Sequence, residues 1–143
     1  MSLTRTLCML LCAFALVAPG CKKKKSGDPV PRPGEESELL AEIPGIHLNR
    51  DDNAATGETL QISIKLTSKP LPPDGVTVTV TATAPNGDPI PQNAAVISKE
   101  GTVTFTLINL PQRQVADIVV TVTSNNKPGN TKTYRFGVMN KTN

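Results

Sequence analysis

The side chains able to do chemistry are few. His47 is the single imidazole of a 143-residue chain that holds three cysteines and no tryptophan. Nucleophilic catalysis needs a base within hydrogen-bonding reach of a Ser or Cys, and zinc needs three or four N or S ligands. One histidine flanked by Ile46 and Leu48 meets neither demand, so His47 is expected to sit exposed, or as a cap, on an edge strand. Asp51, Asp52, Asn53 and Glu58 are hard oxygen donors in one short stretch, the ligand type that calcium prefers. Their spacing matches no EF-hand loop. Calcium at Asp51, Asp52 and Glu58 therefore stands beside the plainer expectation of a solvated Asx-rich turn. No glycine-rich phosphate loop, HExxH pair or nucleophile elbow occurs. The expectation is a protein that is not an enzyme and needs no cofactor.

The cysteines tell more. Cys8 and Cys12 belong to an apolar run of twelve residues, Leu7 to Ala18, that follows Arg5. A membrane-spanning helix needs roughly 20 apolar residues, whereas a positive start, a short apolar centre and small residues at its end are the layout of a secretory signal. The end of the run, Val17-Ala18-Pro19-Gly20-Cys21, resembles a bacterial lipoprotein signal. Gly20 stands directly before the cysteine as in that pattern, while Ala18 and Pro19 replace its usual Leu and Ala or Ser. The resemblance implies that residues 1–20 are a cleaved signal peptide and that Cys21 carries the lipid, palmitate among its chains. The thiol inventory agrees: once the run is removed, Cys21 is the one cysteine left and no internal disulfide can form. Burial stabilises an acyl chain by about 0.8 kcal/mol per methylene, so two or three chains hold firmly to a bilayer.

Lys22 to Lys25 come directly after the cysteine. They would attract anionic headgroups at about 1 kcal/mol each, or simply solubilise the start of a tether. The run is short and has no interleaved aromatics, so nucleic acid is not an expected partner. Lys22 stands where many inner-membrane lipoproteins carry Asp, so the resemblance implies the outer membrane, on its periplasmic or its surface face. Residues 21–43 read as a Lys- and Pro-rich flexible tether. Pro29, Pro31 and Pro33 alternate, which disfavours helix and ladder alike, and the charge flips to Glu35, Glu36 and Glu38. Residues 37–42 could form a turn or two of helix before Pro44.

The elements that must position these groups lie in residues 44–143, where the sequence alternates with period two. Leu60, Ile62, Ile64 and Leu66 interleave with polar residues; so do Val76, Val78, Val80 and Ala82 with Thr77, Thr79, Thr81 and Thr83. Val103, Phe105 and Leu107, then Ile118, Val120 and Val122, then Tyr134, Phe136 and Val138 repeat the pattern. Each run predicts a strand with one buried and one wet face, and β-branched threonine suits the wet one. Lesser strands are expected at Ile46–Leu48 and Ala94–Ser98. Turn chemistry separates the runs at Pro72-Pro73-Asp74-Gly75, Asn86-Gly87-Asp88-Pro89 and Asn125-Asn126-Lys127-Pro128-Gly129. About seven short antiparallel strands predict an all-β sandwich, with a small barrel or a transthyretin-like sandwich as the alternative. Gly57-Glu58-Thr59-Leu60, Gly75-Val76-Thr77-Val78, Asn86-Gly87-Asp88-Pro89-Ile90 and Gly101-Thr102-Val103-Thr104-Phe105 resemble bacterial immunoglobulin-like modules of exported proteins. The antibody-type core Cys pair and Trp are missing, so the core is expected to be aliphatic around Phe105 and Phe136, with Tyr134 near a sheet edge or face.

A sandwich presents its loops, and the tips Pro73, Asp74, Asn86, Asp88, Asn126 and Lys127 are the candidate binding residues, with turn geometry as the alternative reason for their presence. The functional expectation is a lipid-anchored envelope protein that presents a non-catalytic immunoglobulin-like module to a protein or glycan. The alternative is a periplasmic assembly accessory, pilotin-like or attached to a secretion system.

Overall fold

A computed structural model describes residues 35–142. The expected signal peptide, Cys21 and most of the expected tether lie outside the described residues. Among the described residues nine strands occur in order: β1 (Ala41–Glu42), β2 (Asn53–Ala55), β3 (Leu60–Leu66), β4 (Val76–Thr83), β5 (Pro89–Ile90), β6 (Val96–Ser98), β7 (Thr102–Leu107), β8 (Val115–Ser124) and β9 (Thr131–Asn140). They form two sheets, β1-β3-β7 and β2-β9-β8-β4-β5, with β6 also on the β4 edge. The chain changes sheet at β1 to β2, β2 to β3, β3 to β4, β6 to β7 and β7 to β8. Its first strand is divided, β1 in one sheet and β2 in the other, and this order is that of an immunoglobulin-like sandwich.

The period-two runs place the core. Ile62, Ile64 and Leu66 of β3 and Val103, Phe105 and Leu107 of β7 face Val76, Val78, Val80 and Ala82 of β4, Ile118, Val120 and Val122 of β8, and Phe136 and Val138 of β9; all are buried. A one-residue slip would turn each set to solvent, so this alternation fixes the register, for example Val78 opposite Val122 and Ile118 opposite Phe136. Two glycines permit close approach. A side chain at Gly137 would collide with Asp51 and Val115, and one at Gly75, whose φ is 76°, would meet the Ser98 carbonyl.

The observed fold departs from the sequence expectation in three places. First, residues 36–43 belong to the sandwich and not to the tether. Leu39 and Ile43 are buried in the core, and 41–42 pair with β3 instead of coiling into a helix. Tertiary burial of two large aliphatic residues outweighs a local helix preference that is marginal over six residues. Second, Ile46–Leu48 is a turn region and the strand comes later, at Asn53–Ala55, parallel to β9. The sheet is thus mixed at that edge. Third, the expected strand at 94–98 is shortened to Val96–Ser98, and a further two-residue strand, β5, pairs with the other end of β4.

Candidate functional site

The register sorts the six loop-tip candidates to opposite ends of the sandwich. Val76 at the start of β4 lies opposite Ser124 at the end of β8, whereas Thr83 lies opposite Asp117. Pro73, Asp74, Asn126 and Lys127 therefore share one pole, and Asn86 and Asp88 occupy the other. The first pole is also where the N-terminal segment joins the domain. Asn130 accepts from the Leu39 amide at 2.7 Å and donates to Glu36 at 2.7 Å and to the Ser37 carbonyl at 2.8 Å. Ser68 Oγ accepts from the Leu40 amide at 2.7 Å, the Tyr134 hydroxyl donates to the Ala41 carbonyl at 2.7 Å, and Lys132 pairs with Glu38. Residues 36–43 thus form a strap stitched by side chains to both sheets.

The near-pole tips take part in this stitching or in turn closure. Asn126 donates to Glu36 at 3.3 Å, Asp74 accepts through its carbonyl from Asn125 at 3.0 Å, and the Lys127 amide donates to Ser124 Oγ at 3.3 Å. Burial works against ionisation of Glu36, yet hydrogen bonds from Ser124, Asn130 and Asn126 and the charge of Lys127 outweigh it and hold the carboxyl below its ordinary range. At the far pole, Asn86 Nδ2 donates to Asp88 at 2.7 Å and Asn86 Oδ1 accepts from the Asp88 amide at 3.1 Å. That pair closes its own turn, the geometric role of an Asx residue.

The four oxygen donors Asp51, Asp52, Asn53 and Glu58 go to separate partners. Among the described residues no group of three His, Cys, Asp or Glu side chains is placed to hold a metal ion. Asp52 turns to His47, whose Nδ1 lies 3.0 Å away, and to Arg50 at 2.6 Å. The His47 hydrogen bond, with the charge of Arg50, holds the Asp52 carboxyl below its ordinary range. Asn53, the fourth oxygen donor, points inward: it accepts from the His47 amide at 2.7 Å and donates to the His47 and Gly137 carbonyls at 3.0 Å. Glu58 lies in the β2–β3 connection, where its carbonyl accepts from the Leu110 amide at 3.0 Å. His47 is on a loop, not on an edge strand, and is well exposed beside Asp52.

What the sequence does not reveal is a groove of about 390 Å³ between the 44–47 turn, β2 and the first half of β3. Its lining includes Ile46, His47, Ala54, Leu60 and Gln61. Pro44 and Gly45 form it. The Ile46 amide bonds the Ile43 carbonyl at 3.2 Å, and Gly45 has φ 78°. Pro at the first corner and a positive-φ Gly at the second make a tight turn that carries the chain off β3 towards the other sheet. The Pro-Gly pair was the available signal, but it marks a turn and says nothing of the space beside it.

Neither a family model nor a curated protein matches the sequence. The chain is similar in structure to a conjugate transposon protein (27–141) from Bacteroides vulgatus, solved by solution NMR. Identity is 15%, the match covers 75% of this chain and 88% of that one, and the TM-score is 0.46.

Proposed function

We propose that this chain is a lipid-anchored protein of the bacterial cell envelope, held in the outer membrane through Cys21, whose immunoglobulin-like domain is a non-catalytic module that binds a protein partner. The observation that carries the reading is the strap. Leu39 is fully buried and Asn130 makes three hydrogen bonds to residues 36–39, so a tether attached at that point transmits its hold to the core. The groove beside β3 begins where the strap ends, at Pro44, and the Asn86–Asp88 turn lies at the opposite pole. His47, the single imidazole, is paired with Asp52 at the surface, and Asp52 and Asp117 face Arg50 and Arg135.

Labelled palmitate fed to cells making the full chain tests the anchor. Label in the wild type, its loss in Cys21→Ser and release of that variant from the membrane fraction are expected. Equal membrane retention without label would overturn the anchor. Protease accessibility on intact and permeabilised cells then decides the setting. Cleavage only after permeabilisation, with cross-links to an envelope complex, would make the protein an assembly accessory; cleavage on intact cells would direct the search to external proteins and glycans.

A further inference from the structure

The outer edge of β3 is occupied along only part of its length. β1 pairs there through Ala41 opposite Leu66 and Glu42 opposite Lys65. Continuing that register would set Pro44 opposite Ser63 and Ile46 opposite Gln61. Pro44 has no amide hydrogen to give a ladder, and the turn at Pro44-Gly45 takes the chain away. The direction of the remaining backbone groups is set by two bonds. The Leu66 amide donates to Gly101, beside β7, and the Thr67 amide donates to Leu40, beside β1, both at 2.8 Å. In an antiparallel ladder these directions alternate, so Ser63 and Gln61, in step with Thr67, aim their amides and carbonyls at the vacated side. Among the described residues, the β1 ladder stops at Lys65 and neither Ser63 nor Gln61 has a strand partner on that side.

We infer that this vacated half of the β3 edge is a peptide slot: it takes an extended, uncharged segment of a partner protein, which adds to the sheet as a continuation of β1. The inference rests on the binding-module reading above and names its site. Three observations select an extended backbone over other occupants. Unpaired donors and acceptors at a two-residue step match the repeat of a strand. Leu60 to Ser63 spans roughly 10 Å at about 3.3 Å per residue, room for a three- or four-residue segment. Ile46 and Leu60 are only partly buried against the core and line the groove, so an apolar side chain of the incoming strand finds apolar contact there. Charge selects as well. The groove's His47 and Asp52 are bonded to each other, and Arg50 completes the neutralisation, so no free charge of the groove calls for a charged ligand.

The test uses the full chain in detergent, followed by amide NMR. Short capped peptides with alternating Thr and Val, Ile, Leu or Phe, bearing terminal Lys for solubility, are titrated. Saturable shifts at the Gln61 and Ser63 amides are expected, with neighbouring shifts at Ile46 and Ala54. A twin peptide N-methylated on one edge should bind at least about tenfold more weakly, since it loses the ladder bonds but keeps its side chains. Ala54→Trp, which fills the groove from an exposed position, should lower affinity about tenfold while the unfolding midpoint holds. The slot is overturned by no shift with any peptide at millimolar concentration, by shifts confined to the Thr102–Thr104 edge of β7, by equal binding of the N-methylated twin, or by Gln61 shifts that grow with protein concentration alone, which would make the occupant a second copy. Failure of the broader reading looks different. If Ala54→Trp loses the peptide yet still cross-links a partner in the envelope as the wild type does, the partner uses another surface. If the peptide binds but the wild type cross-links nothing, the slot stands and the binding-module reading falls.

Discussion

The two poles of the sandwich use the same residue type for opposite ends. Near the strap, Asn130 and Asn126 reach across ninety or more positions of sequence to Glu36, Ser37 and Leu39. At the far pole, Asn86 bonds a residue two positions away. One pole is assembled from distant parts of the chain and stands or falls with the whole fold. The Asn86 turn at the other is self-contained, and sequence variation could remodel it with little effect on anything else. An asparagine in a turn is therefore an ambiguous sign: only the partner reveals whether it shapes the loop or holds the domain shut.

Leu39→Ala should give the largest effect that separates the poles. It removes a fully buried aliphatic side chain whose loss leaves a cavity, and about 3 kcal/mol of destabilisation is expected in chemical denaturation. A loss within error would return residues 36–43 to the tether. Asn130→Ala comes next. It strands the Leu39 amide and the Ser37 carbonyl in a partly buried setting, for about 2 kcal/mol, and amide exchange should quicken along the strap before it does in β8. Asn86→Ala, by contrast, should cost about 0.5 kcal/mol and leave strap exchange unchanged; a cost equal to that of Asn130→Ala would erase the distinction.

The smallest effect is a pH dependence. The folded Glu36 carboxyl titrates below its ordinary value of 4.5, so its contribution is complete above that value and is lost as pH falls through the lower, folded one. Strap amides should therefore lose protection on acidification, once the intrinsic slowing of exchange is divided out, and Glu36→Gln should flatten that response. An unchanged profile in Glu36→Gln would show that the sensitivity does not come from Glu36.

The long strands were legible because burial on one face forces period two: β3, β4, β7, β8 and β9 lie where the alternation of Ile62–Ile64, Val76–Val80, Val103–Phe105, Ile118–Val122 and Phe136–Val138 puts them. The short elements were not. Asn53-Ala54-Ala55 carries no strand signature, and it becomes β2 because the parallel pairing with β9 and the inward Asn53 amide hold it there. Leu39 and Ile43 look like an apolar patch in a charged linker until β3 and Asn130 are in view. The tips were legible as turns, yet their division between poles comes from strand register alone. The groove was invisible for a deeper reason. It opens where the Pro44-Gly45 turn carries the backbone away from β3, and a sequence names side chains.

The strap also has a place in time. A chain is made from its N-terminus, so Leu39 exists long before Asn130 and Tyr134, the residues that fasten it. Until β9 is complete, a leucine destined for full burial waits beside an open sandwich, and neither β3 nor β7 can close that end by itself. Contacts of this range make closure slow relative to local hairpin formation. The domain finishes folding at its earliest-made segment among the described residues, and until then Leu39 and Ile43 stay exposed.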